Sequence, residues 1–254
     1  MNYTDEELEK VEQEELEITE EALLIMLASL AYTQTELEKE LRSFYQQYGK
    51  DGVVTYAEAR KWVNQKDHTK RLTLLTLMIG GYFDKAFSNI KFEFDLMVRE
   101  IIGKESQTFG IEVDEDKVAT QKWGNDDENW STRLEDNASL WEAYVIAEIK
   151  LSMLKRENID NVLERLNKRF ATMGKSLRSL VITESTAVGS LARREMFKVL
   201  GIKQYRYYAK LDERTCEVCG SMHGMIFPIS AYEVGVTARP MHPHCRCFET
   251  PIIN

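Results

Sequence analysis

The chain of 254 residues carries 33 basic against 42 acidic side chains, a formal net charge of −9, with 43% hydrophobic residues and only 4 prolines and 13 glycines. That balance excludes global disorder, a Pro/Gly-rich linker protein and a turn-rich all-β sandwich. The longest apolar stretches, near 22–32 and 72–83, are about a dozen residues each, short of the ~20 that a bilayer span needs, so no membrane anchor is expected.

The opening residues, Met1 to Glu7, contain no basic n-region and predict no secretory signal peptide. Charge is uneven along the chain. Residues 1–150 hold 17 Lys and Arg against 32 Asp and Glu, whereas residues 151–200 hold 10 against 5. The acidic half repels nucleic acid at long range and suits a basic or amphipathic protein surface. The basic run from Lys155 through Arg165, Lys168, Arg169, Lys175 and Arg178 to Arg193 and Arg194 reads either as a solvated helix face or as a phosphate contact.

In chain order, Thr4 followed by Asp5, Glu6 and Glu7 is a helix start, with an N-cap hydroxyl and acids at the positive end of the dipole. Leu16, Leu23, Leu27 and Leu30 recur at helical spacing, either as ordinary core or as a docking stripe, while Glu15 interrupts the apolar series. A second helix is expected from Thr35 or Glu36 to Tyr48, ended by Gly49, with a turn at Lys50-Asp51-Gly52 and a new helix opening at Thr55. Helical pattern continues to about Gly103, with Gly80-Gly81 as a kink or close-packing point. Residues 103–137 read as a polar loop with short helical pieces, in which Trp123 and Trp130 pack inward.

Helical spacing returns with Leu140, Tyr144, Ala147, Leu151 and Leu154, and again with Val162, Leu166, Phe170 and Met173. A break is expected near Gly174 and a fresh start after Thr183. Beyond Gly201, Gln204–Leu211 and Met225-Ile226-Phe227 fit strands. The expected fold class is therefore α+β and predominantly helical. An acidic helical region at 1–137 precedes a second region at 138–254, made of long helices (138–200) and a small β-containing module (201–254).

That module holds all four cysteines, Cys216, Cys219, Cys245 and Cys247, and three of the four histidines, His223, His242 and His244. Cys216-x-x-Cys219 is a knuckle that aims two thiolates at one ion, and His242-Pro-His-Cys245-Arg-Cys247 supplies the second half. Zinc takes four N/S ligands in a tetrahedron, so the candidate ligands are Cys216, Cys219, His242, Cys245 and Cys247, competing for one structural zinc. Cys216, Cys219, His242 and Cys245 make a three-thiolate site, and Cys247 in place of His242 makes an all-thiolate one. Disulfides, a redox dithiol and free thiols are the competing readings. A closed thiolate set, with no H-E-x-x-H, argues against catalytic zinc and against an enzyme. Neighbouring Asp212, Glu213 and Glu217 read as solvated surface.

The residues Asp212-Glu-Arg214-Thr215-Cys216-Glu-Val-Cys219, Gly224 and Pro240-Met-His242-Pro-His-Cys245-Arg246-Cys247 resemble the C-terminal signature of phage Mu F-like minor head proteins, the head-morphogenesis family of tailed phages. The match covers roughly 180–250, and Thr183-Glu184 at the start of a helix adds to it. One proline, Pro240, stands where the family commonly has two. The resemblance implies a non-enzymatic minor capsid protein of the virion interior, present in the host cytoplasm during assembly. Its implied partners are the portal protein at the head vertex, scaffold and major capsid protein, with possible non-specific contact with viral DNA during packaging or ejection. The alternative is a zinc-stabilised, metal-dependent DNA nuclease with His242 or His244 activating water. A zinc-ribbon regulator is disfavoured by the net charge of −9. Arg214, Arg239 and Arg246 near the knuckle read as bridges to carboxylates or carbonyls.

Overall fold

The computed structural model describes residues 3–55 and 69–253. Helix α1 (Asp5–Tyr48) opens on a reciprocal cap: the Glu7 amide donates to Thr4 Oγ1 at 3.2 Å, and the Thr4 amide donates to the Glu7 carboxylate at 2.8 Å. It runs unbroken to Tyr48, so the expected separate helix from Thr35 is a correction. The reason is local. Thr33 and Thr35 turn their hydroxyls back to the carbonyls of Ser29 and Ala31, which satisfies them inside a continuing helix. Gly49 ends α1 as expected, because a Cβ there would sit 2.4 Å from the Tyr45 carbonyl oxygen. Asp51 and Gly52 then turn the chain with positive φ. The helix start expected at Thr55–Glu58 lies outside the described residues.

Helix α2 (Thr69–Phe109) passes through Gly80, Gly81 and Gly103 without a break. Gly81 and Gly103 have open space where a Cβ would project, so neither is a close-packing point. Each glycine costs a helix about 1 kcal/mol, and the buried series Ile79, Phe83, Ala86, Ile90, Phe94, Met97 and Ile101 outweighs that. The polar stretch yields α3 (Glu115–Ala119), N-capped by Asp114. Both tryptophans are anchored as expected. Trp130 is buried against Phe94 and donates to the Ala119 carbonyl at 3.0 Å. Trp123 donates to Glu184 at 2.9 Å beneath the Arg133 guanidinium.

Helix α4 spans Trp130–Lys155, starting eight residues before the expected Ala138 because Asn129 accepts the Thr132 amide as its N-cap. Its core face is Leu134, Trp141, Val145, Ile149 and Met153; Leu140, Tyr144, Ala147, Leu151 and Leu154 lie on an exposed face instead. Helix α5 (Ile159–Val199) is capped by Asn158 and buries Val162, Leu166, Phe170 and Met173 as expected. It has no break at Gly174 or Thr183, and Thr183 simply donates back to Ser179. Glu184 is therefore a mid-helix residue, not the start of a helix.

The basic run is mostly neutralised. Arg165 pairs with Glu148 and Glu157, Lys168 with Glu164, Arg178 with Glu20 and Arg193 with Glu105. Arg193 is fully buried. The run is thus not one phosphate-facing stripe, since a paired or buried guanidinium has no charge to offer a phosphate.

Strands β1 (Gln204–Tyr208), β2 (Ile226–Pro228) and β3 (Phe248–Ile252) form an antiparallel sheet in the order β2-β1-β3. Tyr205 pairs with Phe227 on one side and with Pro251 on the other. A short helix, α6 (Glu217–Met222), lies between β1 and β2. The fold is thus predominantly helical α+β with a small C-terminal β-containing module.

The chain divides into two compact units. One comprises Met1–Leu24, Phe92–Arg133 and Arg178–Asn254; the other comprises Ile25–Lys91 and Leu134–Leu177. The sheet and the cysteine module belong to the first, together with the N-terminal turns of α1 up to Leu24. Among the described residues no helix is long and apolar enough to cross a membrane.

Candidate metal centre

The knuckle is built by the first turn of α6. Cys216 is its N-cap residue, and its sulfur accepts the Cys219 amide at 3.3 Å. The preceding residues form a turn that hands the chain to this cap. Asp212 Oδ1 accepts the Arg214 amide at 2.8 Å, and Thr215 Oγ1 accepts the Asp212 amide at 2.7 Å while donating to the Lys210 carbonyl at 2.6 Å. Arg246, between the two cysteines of the second half, makes a bidentate pair with Asp212 at 2.6 and 2.7 Å. Asp212 is thus a clamp between the two halves and not merely solvated surface, and the Arg246 guanidinium holds its carboxyl well below the usual carboxylate range.

The structure brings all five expected ligand residues together. Cys216, Cys219 and His242 form one group and Cys219, Cys245 and Cys247 another, each with its donor atoms within 4.8 Å of one another. Cys219 is shared by both. All four cysteines are free thiols, and three of them are buried. Cys219 Sγ lies 3.9 Å from Cys245 Sγ and 3.4 Å from His242 Nε2. Two sulfurs held about 2.3 Å from one tetrahedral ion stand about 3.8 Å apart, so the spacing fits such a centre. His242 is set up for it: Nδ1–H donates to the Pro243 carbonyl oxygen at 2.8 Å, which keeps the proton of the neutral ring on Nδ1 and turns the Nε2 lone pair toward the sulfurs.

His223 stays outside both groups, with Nδ1 accepting the Ala209 amide at 3.1 Å. His244 is exposed and also outside them. His68 lies outside the described residues.

The thiols compete for protons in a way a cation resolves. The hydrogen bond from Cys247 holds Cys245 down to about 5 and drives Cys247 upward, while burial pushes Cys219 up to about 11. Three neighbouring thiolates without a cation repel one another, and a divalent ion removes that penalty. Tyr207 on β1 closes the floor, donating its hydroxyl to Cys219 Sγ at 3.5 Å. Replacing it by phenylalanine (Tyr207→Phe) leaves the ring's packing but removes this outer hydrogen bond. Metal affinity is expected to fall about 10-fold with unchanged far-UV circular dichroism, read by competition with a chromophoric chelator.

A second charged cluster went unread in the sequence. Arg193 and Arg239, both fully buried, meet Glu12, Glu15, Glu105 and Glu249. Arg239 Nη2 lies 3.2 Å from Glu15 and 3.3 Å from Glu105, and the Arg239 amide donates to Glu249 at 2.6 Å. Gly189 on α5 makes room for it, because a Cβ there would come within 2.8 Å of both Arg239 Nη2 and Glu15 Oε1. The available signal was Glu15 itself, an acid inside an apolar helical series. Burial, with the Glu105 charge beside it, raises the Glu15 carboxyl well above the usual range.

Residues 145–250 match the family described as Phage Mu protein F like protein. This stretch of the chain is similar to Phage Mu protein F. The F-like match takes in the C-terminal part of α4, all of α5, β1 and β2 and the first three residues of β3, and it contains every one of the five candidate ligands. No curated protein and no solved structure matches the chain.

Proposed function

We propose that this chain is a minor capsid protein acting in phage head morphogenesis, docking at the portal vertex inside the procapsid, with one structural zinc in its C-terminal module. The observation that carries the reading is the F-like match over 145–250, which coincides with the cysteine centre. A structural ion suits this module. Its buried cluster of Tyr207, Ala209, Cys219, Cys245 and Cys247 is small and half made of ligands, too little apolar surface to hold the loops unaided. Soft thiolates with imidazole favour zinc among the common divalent ions. The role is non-catalytic: the ion organises a surface that other head proteins recognise.

The nuclease alternative is disfavoured by the surroundings of the centre. The cleft beside His242 and His244 is walled by Glu9, Glu12, Glu20 and Asp212. Of its cations, Lys210, Arg178 and Arg246 are already paired with Glu9, Glu20 and Asp212, which leaves Arg214. Such a wall offers little net attraction to a phosphodiester backbone. Contact with packaged DNA would be weak, salt-sensitive and sequence-independent, through exposed Lys155, Arg156, Arg169 and Lys175.

Co-expression with the phage portal protein tests the proposal. The expected result is co-purification with the portal oligomer, together with one zinc per chain by elemental analysis. Failure to associate with portal or procapsid overturns the assembly role. Cleavage of DNA with Mg²⁺, lost in His244→Ala, would replace it with the nuclease.

A further inference from the structure

The exposed face of α4 has a pattern that its fold leaves unused. Leu140, Tyr144, Ala147, Leu151 and Leu154 are spaced 4-3-4-3, the heptad alternation of a coiled-coil seam. All five are in solvent, with Leu140, Tyr144, Leu151 and Leu154 exposed by 57, 54, 43 and 58%. The core of α4 lies on the neighbouring stripe of Trp141, Val145 and Ile149, so the helix carries two apolar faces and buries one. Tyr144 is held by the Arg169 guanidinium 5.5 Å from its ring centroid, which fixes its direction without covering it. Single exposed leucines are ordinary, but a contiguous series at seam spacing on a preformed helix is an interaction surface.

We propose that this face mediates weak self-association, with α4 of one copy pairing antiparallel with α4 of a second copy. Two features choose that occupant. The first is charge. The seam is preceded by Asp136, while Lys150 and Lys155 flank its other end, and none of these three makes an ion pair among the described residues. Antiparallel pairing lays the acidic end of one helix along the basic end of the other. Parallel pairing sets Lys150 against Lys155 of the second copy, a like-charge contact at the flanking positions. The second feature is volume. In antiparallel register Leu140 meets Leu151 of the other copy and Tyr144 meets Ala147, so the one large ring falls opposite the one small residue, twice, at the centre. The seam is about 21 Å long, two heptads. Because the helix is already folded, association does not pay for ordering it, and a dissociation constant on the order of 10 µM is expected. This proposal does not depend on the head-assembly reading.

Sedimentation velocity of the full chain, from low micromolar to several hundred micromolar, tests it. The expected result is a reversible monomer–dimer equilibrium. Leu151→Glu should weaken it by roughly 100-fold or more, with unchanged melting and circular dichroism because the side chain is exposed. Orientation is read by oxidising zinc-loaded variants that each carry one added cysteine and mapping the new disulfide by mass spectrometry. A mixture of Leu140→Cys and Leu151→Cys should cross-link between the two substituted positions, and neither variant alone should do so. A chain that stays monomeric, a dimer that survives Leu151→Glu, or cross-linking by either variant alone overturns the proposal.

Discussion

Cys219→Ser is expected to yield a chain that no longer holds metal and whose residues 201–254 are open to protease, while the helices outside the module keep their circular dichroism. Cys219 contributes to both groups of donor atoms, so it is the residue that ties Cys216 and His242 to Cys245 and Cys247. A structural zinc supplies ~10–16 kcal/mol of apparent binding free energy in small peptides. That equals or exceeds the ~5–15 kcal/mol net stability of a whole domain. Stripping the wild-type ion with a strong chelator should reproduce the effect, and returning zinc should reverse it. Elemental stoichiometry and limited proteolysis measure both. A variant retaining one ion per chain and wild-type protection would remove Cys219 as an essential ligand, and a wild-type chain without an ion would remove the metal. The series Cys216→Ser, His242→Ala and Cys247→Ser assigns the remaining places: the residue whose loss leaves stoichiometry intact is not a ligand.

The second large effect is expected from Arg239→Met. Arg239 is fully buried among Glu12, Glu15, Glu105 and Glu249. Removing the cation leaves Arg193 alone against four carboxylates. Breaking a buried ion cluster in this way costs about 3–5 kcal/mol, or a fall in melting temperature of roughly 10 °C for a chain of this size.

The effect should depend on pH with a definite sign. The folded-state pKa of Glu15 is raised above its unfolded value, so its contribution is full below the unfolded value and is lost as pH rises through the folded one. Wild-type stability should therefore decline as pH rises above the ordinary carboxylate range, and the decline should extend to higher pH in Arg239→Met. Glu15→Gln mimics the protonated carboxyl and should flatten the slope. Thermal melts of the three proteins across a pH series measure this. A melting temperature for Arg239→Met within a degree or two of wild type would show that the cluster is not the tie inferred from its burial.

Much of the metal centre was legible because it is written locally. The x-x spacing of Cys216 and Cys219 is one helical turn, and the cap that aims both sulfurs is made by the residues just before them. The clustering of Cys and His in one short stretch named the five residues whose donor atoms the fold brings together. The same local logic found the Thr4–Glu7 cap and the Gly49 stop. Helix breaks were over-read at Thr35, Gly174 and Thr183. Glycine and threonine carry a modest local penalty, and long buried stripes override it. Strand β3 went unread because Phe248–Ile252 contains a glutamate and a proline, and Glu249 is buried only by meeting Arg239.

Sequence by itself determined the helical character, the acidic and basic halves, the ligand inventory and the family resemblance, since each is set by neighbours within a turn or two or by composition. Tertiary structure alone decided which apolar stripe of α4 is core and which is left to solvent, because apolar residues recur at helical spacing on both faces and only packing breaks the tie. It also decided that Arg193 and Arg239 are buried rather than solvated. Their partners Glu12, Glu15 and Glu105 are far away in the chain, and the energy of a buried charge depends on what surrounds it in space.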